Sequence, residues 1–441
     1  MKKRATAFLA VMILGFNAMA GLPEQLPPGD YEPKNLYGSG KVKYDKSLTP
    51  EQVRELRDNS FRNAKVWVQP STPISEAKLD VTSPIDGNFE GAFDPNTELY
   101  CRWVWSEVGG KSRKFYCVLP GGDLVKVRYS IEENDPQTGE SKIKKFNPEV
   151  FGSMAAQRLL RALGFGAHRS FLVKKIRCFG CPPNPHEAAL VLSSPWEDLR
   201  IAWVKNNGGV RKIIDGRETL VYPINYDRYQ DFQMVAIERK MFHKEISPKV
   251  GSTEIEGWSF KDLDSNVAST TAEKDALKIL AAMLNHGDAK AKNQDLMCAD
   301  EVIGKDGICR QPRAIIGDLG VTFGAAFSLF RGMKFLPGQE GLRLKDWNKA
   351  CIWKEGEEGR TIKVKGSPNS SLKTALVSKE GREFLTSLLE QLSDQQLTDL
   401  FVGAQVSKLP FENLEDRNPQ LWVAAFKEKI RQVKEGTCPA R

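Results

Sequence analysis

Leu284-Asn285-His286-Gly287-Asp288-Ala289-Lys290-Ala291-Lys292-Asn293, followed by Ile315-Ile316-Gly317-Asp318-Leu319-Gly320, is the pair of segments on which the fold turns. The first segment ends a stretch, residues 271–284, whose Ala276, Leu277, Leu280, Ala281 and Leu284 recur on one helical face. Short strands are expected around residues 295–297 and 314–316. The chemistry-bearing residues therefore fall at element ends: Asp288, Asn293 five positions on, and Asp318-x-Gly after an apolar strand. Oxygen side chains of this kind suit magnesium, which takes few protein ligands and leaves room for phosphate oxygens. Asn293 and Asp318 are the candidate metal ligands, and Asp288 is placed to take the proton of an acceptor hydroxyl. Gly320 is expected to allow the sharp turn that aims Asp318. His286 reads as a packing or hydrogen-bonding residue of the loop.

Upstream, residues 99–107, 115–119 and 124–130 read as an antiparallel meander with turns at 109–112 and 120–123. Lys126 lies mid-strand between Val125 and Val127, on one face with Leu124 and Arg128, and can reach nucleotide phosphates. The next element is a well-marked helix. Asn147 is its N-cap, Pro148 its first residue, Phe151, Ala155, Leu159 and Leu163 its apolar stripe, and Gly164 its stop. Glu149 in its first turn is the expected ion-pair partner of Lys126. The turn Gly109-Gly110-Lys111-Ser112 can offer backbone N–H groups and the Ser112 hydroxyl to phosphate oxygens. Taken singly, each residue is ordinary: a strand lysine, a glutamate complementing a helix dipole, a hairpin turn. Their order along the chain, on the expected element types, argues for a nucleotide site.

At these residues the chain resembles the protein kinase-like superfamily through its atypical branches: secreted Golgi casein-kinase relatives, spore-coat kinases, bacterial toxin kinases and phosphatidylinositol kinases. The motifs are Val-Lys126-Val, Pro-Glu149-Val-Phe, His286-Gly-Asp288-x4-Asn293 and Asp318-Leu-Gly, and they span roughly residues 105–325. The resemblance implies ATP with Mg2+ or Mn2+ as cofactor. It makes Lys126 the phosphate lysine, Glu149 its partner, Asp288 the catalytic base, and Asn293 and Asp318 the metal ligands. The departures are also visible. Gly287 stands where activation-loop-regulated kinases carry an arginine, the first glycine turn is poorer than G-x-G-x-x-G, and no Ala-Pro-Glu segment is recognisable. Thirty positions separate Asp288 from Asp318, a longer interval than in typical protein kinases.

The chain opens Met1-Lys2-Lys3-Arg4, runs apolar to Ala20 and ends that run Ala18-Met19-Ala20, the pattern of a secretory signal peptide; an uncleaved anchor is the alternative. A periplasmic or secreted location is expected. No later segment is apolar enough to span a bilayer. The formal charge of +8 includes Lys2, Lys3 and Arg4, leaving +5 on a processed chain. That charge is dispersed, without the basic stripe of a nucleic-acid binder. The eight cysteines, an even number, favour disulfides in an exported protein. Spacing suggests Cys101–Cys117, Cys178–Cys181, Cys298–Cys309 and Cys351–Cys438. A redox or zinc role for Cys178-x-x-Cys181 near His186 is the alternative, without the strand-to-helix setting of the former or the fourth ligand of the latter.

The expected fold is α+β: a bilobal kinase-like fold with a β-rich N-lobe, a helical C-lobe, stabilising disulfides and an N-terminal extension. The expected divisions are a signal peptide (1–20), an extension (21–98), an N-lobe (99–240) and a C-lobe (241–441). Residues 170–240 read as strands and loops, ending in the apolar strand Met234-Val235-Ala236-Ile237, and helices are expected to open at Thr49-Pro50, Ser393 and Asn418-Pro419. The function expected is an exported phosphotransferase using metal–ATP on an acceptor the sequence does not name: protein, lipid, sugar or small molecule. Two alternatives share the same residues: a catalytically inactive kinase-like binding protein, and a kinase-fold nucleotidyltransferase. No His-Glu-x-x-His and no Gly-x-Ser-x-Gly points to a metalloprotease or lipase.

Overall fold

A computed structural model describes residues 23–34, 41–42, 47–80, 93–106, 108, 112–134, 141–145, 147–214, 217–239, 243–247, 249–250, 253–254, 257–299, 302–304, 308–324, 342–354, 372, 375–409 and 414–438. The leader pattern of residues 1–20 and the turn glycines Gly109 and Gly110 lie outside these. Among the described residues no helix is long and apolar enough to cross a membrane.

The chain is α+β. Helix α1 (Pro50–Arg62) starts where Thr49 and Gln52 form a reciprocal capping box, with Pro50 in the first turn. Strands β1 (Glu98–Val104), β2 (Lys114–Val118) and β3 (Leu124–Arg128) follow, then the hairpin β4 (Ile131–Asn134) and β5 (Ser141–Lys145). Helix α2 (Pro148–Ala162) is capped by Asn147, whose side chain accepts from the Glu149 amide. Next come β6 (Gly166–Ala167) and β7 (Arg169–Phe179), helices α3 (Pro185–Leu192) and α4 (Glu197–Asn206), and the hairpin β8 (Val210–Ile214) and β9 (Arg217–Val221). Strand β10 (Tyr229–Arg239) precedes the short strands β11 (His243–Glu245), β12 (Lys249–Val250) and β13 (Thr253–Glu254). Helix α5 (Thr271–Met283) carries a Thr270/Glu273 capping box. Strands β14 (Gln294–Ala299) and β15 (Arg313–Ile316) follow, then helices α6 (Leu344–Lys349), α7 (Lys379–Leu389), α8 (Asp394–Gly403) and α9 (Pro419–Glu435).

Strands β1, β2, β3, β10 and β7 close into a barrel in that order. The β1–β7 pair is parallel and the other neighbours are antiparallel. Alternate residues fill the barrel: Trp103, Phe115, Val125, Val127, Val173, Ile176, Val235 and Ile237 form one apolar core. A second core joins α2, α5 and the C-terminal helices, with Trp347, Phe401, Trp422 and Phe426 packed ring against ring. Helix α2 packs on β7 and β10 of the barrel and on α8. Phe151, Ala155, Leu159 and Leu163 are all buried, as the stripe required. A second sheet has the order β11-β14-β15-β6.

The cysteines pair as their spacing suggested, at Cα–Cα separations of 5.7 Å (Cys101–Cys117), 5.5 Å (Cys178–Cys181), 5.9 Å (Cys298–Cys309) and 5.8 Å (Cys351–Cys438). Residues 170–240 differ from expectation. They hold α3 and α4, and the strand expected at 234–237 runs the full length of β10. Asn184 caps α3 and Pro185 opens it, a local start signal that the proline-rich Cys181-Pro182-Pro183 context masked.

Candidate active site

Strand β3 presents two cations on one face. Val125 and Val127 point into the barrel, so Lys126 and Arg128 project from its other side. Antiparallel register sets their neighbours: Lys114 of β2 lies opposite Arg128, and Glu238 of β10 lies opposite Lys126. Lys126 Nζ donates to Glu238 Oε1 at 2.5 Å, and Arg128 donates to Glu238 Oε2 through Nε and Nη2 at 3.1 and 2.9 Å. Arg128 Nη1 also donates to Ser112 Oγ at 3.1 Å.

Glu149, in the first turn of α2, forms its ion pair with Arg128. The structure thus pairs the residues differently from the sequence expectation: Glu149 with Arg128, and Lys126 with Glu238. Strand geometry supplies the reason. Two residues of rise along β3 separate the two cations, roughly 7 Å, and Glu149 meets the later one. Arg128 is 2% exposed and also approaches Asp318, with Nη2 3.6 Å from Oδ1. One guanidinium thereby ties together β3, β10, α2 and the turn after β15.

That turn is built by close approaches. Asp318 itself takes the left-handed conformation, φ +45°, and carries the bend that was expected of Gly320. Gly320 serves a different end: a Cβ there would meet the Glu149 side chain, with Cδ at 2.6 Å. Register places Gln294 opposite Ile316, which sets Asn293 beside Gly317 at the end of the β14–β15 ladder. The Gly287 amide donates to Val321 O at 2.8 Å and the Phe323 amide to Leu284 O at 2.8 Å, fastening the Asp288 loop to the Asp318 turn.

Within the loop, Asn293 Nδ2 donates to Asp288 O and Asp288 Oδ2, each at 2.8 Å, and Lys290 pairs with Asp288. Burial pushes the Asp288 carboxyl up, but the Lys290 and Asn293 contacts outweigh it and hold the group below the usual carboxylate value. His286 is fully buried, and burial pulls its imidazole down to about 4, against the charges of Asp318 and Asp288. Neither ring nitrogen has a hydrogen-bond partner among the described residues, in keeping with a packing role.

On the barrel side, burial pushes the Lys114 ammonium down to about 8, helped by Arg128 and Lys126 and opposed by Asp318 and Glu238. Burial raises Glu238, yet Lys126 and Arg128 hold it well below the ordinary carboxylate value. The donor set near the turn is oxygen: the Asp318 carboxylate, and Asn293 Oδ1, which stays available because the amide nitrogen does the bonding to Asp288. Such a set fits a hard divalent cation. Lys126, Glu149, Ser112, Asp288, Asn293 and Asp318 thus fall into two linked clusters. Arg128, Glu238 and Lys114 are additions. Arg128 was visible as a face-mate of Lys126, and Glu238 as a carboxylate ending the apolar run 234–237.

No protein-family model matches the sequence, and no curated protein matches it. Solved structures do. The proinflammatory kinase CtkA of Helicobacter pylori is similar at 10% identity and a TM-score of 0.38, over 77% of this chain and 97% of that one. The Golgi casein kinase with Mn/ADP bound is similar at 11% identity and a TM-score of 0.30, over 89% of this chain and 87% of that one. A second structure of the Golgi casein kinase gives 12% identity and 0.30, over 94% and 95%.

Proposed function

We propose that this chain is a two-lobed, kinase-like phosphotransferase that uses a metal–nucleotide complex outside the cytoplasm. The observation that carries the reading is the Arg128 hub, which gathers Glu149, Glu238 and Asp318 into one place. Four paired cysteine sites support an oxidising compartment. The barrel with its attached α2 would be the N-lobe, and the helical part with the Asp288 loop the C-lobe.

The roles follow from charge and geometry. Lys126 and Lys114, on one face of the β2–β3 pair, would serve as cations for nucleotide phosphates, and Arg128 fixes β3 against α2. Asn293 and Asp318 would hold Mg2+ or Mn2+, which when bound neutralises phosphate charge. Asp288 is ionised at neutral pH and oriented by Asn293. It accepts the proton of an acceptor hydroxyl as that oxygen bonds to the terminal phosphorus; the bond to the bridging oxygen breaks and ADP leaves.

One observation favours a second reading, a binding protein without turnover: Lys126, expected on the phosphates, is already engaged by Glu238. A thermal-shift titration with ATP, with and without Mg2+ or Mn2+, separates the two. The proposal expects a metal-dependent rise in melting temperature that Asp318→Ala abolishes, with ADP appearing when acceptor is supplied. No rise in either protein would overturn it. Release of pyrophosphate in place of ADP would mark nucleotidyl transfer.

A further inference from the structure

A recess of about 520 Å3 lies where α6 meets α9, and none of its lining residues belongs to the nucleotide clusters. Leu344 opens α6 on one side; Leu421, Ala424 and Ala425 follow one another on a face of α9 on the other. The single helical turn Leu414–Arg417 brings Glu415 and Asp416 to the same place. These walls are fastened from several directions. Trp347 of α6 stacks on Trp422 of α9, ring centroids 5.8 Å apart, and Trp422 Nε1 donates to Asp416 O at 2.8 Å. The Asn418 amide donates to Glu415 O at 3.0 Å, and Cys351–Cys438 joins the chain beyond α6 to the chain beyond α9.

The charges of the lining are unequal. It holds three carboxylates, Glu415, Asp416 and Glu428, and one ammonium, Lys345. Glu428 accepts from Arg431 Nε and Nη2 at 2.8 and 2.9 Å, and nearby Asp346 lies 3.7 Å from Arg343. Asp416 stands apart. It is 6% exposed, and its carboxylate has no hydrogen bond or ion pair among the described residues. Burial, then the charges of Asp346 and Glu415, push that carboxyl above its usual value; Arg343 and Lys345 act the other way and are outweighed. A buried carboxylate without a partner carries a desolvation cost that an arriving cation relieves.

The surroundings select the kind of cation. A divalent metal takes several oxygen ligands, and among the described residues no three His, Cys, Asp or Glu side chains converge to hold one. A methylene stem, by contrast, suits the apolar side of the recess while its charged head reaches the acid. We propose that the recess between α6 and α9 binds an organic cation on an aliphatic stem, an alkylammonium or guanidinium group whose head meets Asp416 and whose methylenes lie on Leu344, Leu421 and Ala424. Free amines and the lysine or arginine side chains of another protein share this chemistry. The proposal does not depend on catalysis at the nucleotide site.

The test is the melting temperature of the full chain against n-butylammonium, agmatine and a lysine blocked at both ends, with sodium at matched ionic strength as reference and n-butanol as the uncharged counterpart. Wild type should respond to the three cations and far less to butanol. Asp416→Asn keeps the shape of the side chain; it should melt at or above wild type in sodium and bind the cations roughly tenfold more weakly. Should that variant fail to fold, Ala424→Leu decides. The position is exposed on α9 and leucine suits a helix, so the added side chain should fill the recess and abolish the response with Asp416 in place. Lys345→Ala removes the rival cation and should tighten binding about threefold. Tighter binding of blocked lysine than of butylammonium supports the site and assigns it to a side chain presented by another protein; equal binding supports it as a site for a free amine. An undiminished response in Asp416→Asn, an equal response to butanol, weaker binding in Lys345→Ala, or no response beyond sodium would each overturn the proposal.

Discussion

Arg128, not Lys126, makes the ion pair with Glu149. The two cations sit on one face of one strand, and among the described residues each has its own carboxylate arrangement: Lys126 on Glu238, Arg128 on Glu238, Glu149 and Asp318. A planar fork can serve three carboxylates at once, and a lysine ammonium at the same depth would serve them with fewer fixed directions. The hub leaves Lys126, partly exposed, as the cation better able to exchange its partner for a phosphate.

That division of labour sets the first expectation. Arg128→Met strands the buried Glu149 carboxylate and leaves Glu238 with Lys126, and should cost about 3–5 kcal/mol. Lys126→Met leaves Glu238 still bonded to Arg128 and should cost no more than about 1 kcal/mol. Urea unfolding measures both. Equal losses would mean that Lys126 is as structural as its neighbour, and the phosphate role assigned to it would fail.

Gly320 makes room for Glu149, so Gly320→Ala should overpack the junction between α2 and the Asp318 turn. A loss of about 1–3 kcal/mol is expected. The metal-dependent response to nucleotide should weaken with it, because Glu149 and Asp318 share the Arg128 guanidinium. An unaltered urea midpoint and an unaltered nucleotide response would show that the contact yields freely.

Much of this was legible because the signals are local. Thr49, Asn147, Ser393 and Asn418 each cap a helix that begins at the next residue, and cap, proline and stripe lie within a few positions of one another. The Asp288 loop and the Asp318 turn were legible for the same reason. The ion-pair partners were not. Glu238 is 112 positions from Lys126, and only the β3–β10 register brings them together. Helices α3 and α4 were read as strand and loop because α3 is apolar on several sides and α4 shows little contrast between faces.

Lys114 gives a signature at alkaline pH. Its folded-state value, about 8, is below the ordinary lysine value of 10.5. Between those two values the unfolded chain holds a proton that the folded chain has released, so stability should rise with pH across that window. Below pH 8 both states are protonated and the cost of burying the charge is fully present. Lys114→Met should therefore be more stable than wild type at neutral pH, and the gap should narrow from pH 8 towards 10.5. Urea midpoints at four or five pH values give the comparison; a constant gap would place the ammonium in solvent.

His286 gives the acid counterpart. Its imidazole, fully buried beside the Asp288 loop, is held near 4 against an ordinary 6.5. Above 6.5 it is neutral in both states and burial is unopposed. As pH falls from 6.5 to 4 the unfolded chain takes up a proton that the folded chain refuses, so stability should decline through that window. The full decline corresponds to about 3 kcal/mol. Carboxylates held low by cations, Asp288 and Glu238 among them, add their own losses at more acid pH, so the quantity to read is the difference between wild type and His286→Leu. With neither ring nitrogen bonded, the leucine should be tolerated at neutral pH, and the variant should lose less stability than wild type between pH 6.5 and 4. Parallel curves would show that the imidazole reaches water, and with it that the Asp288 loop opens in solution.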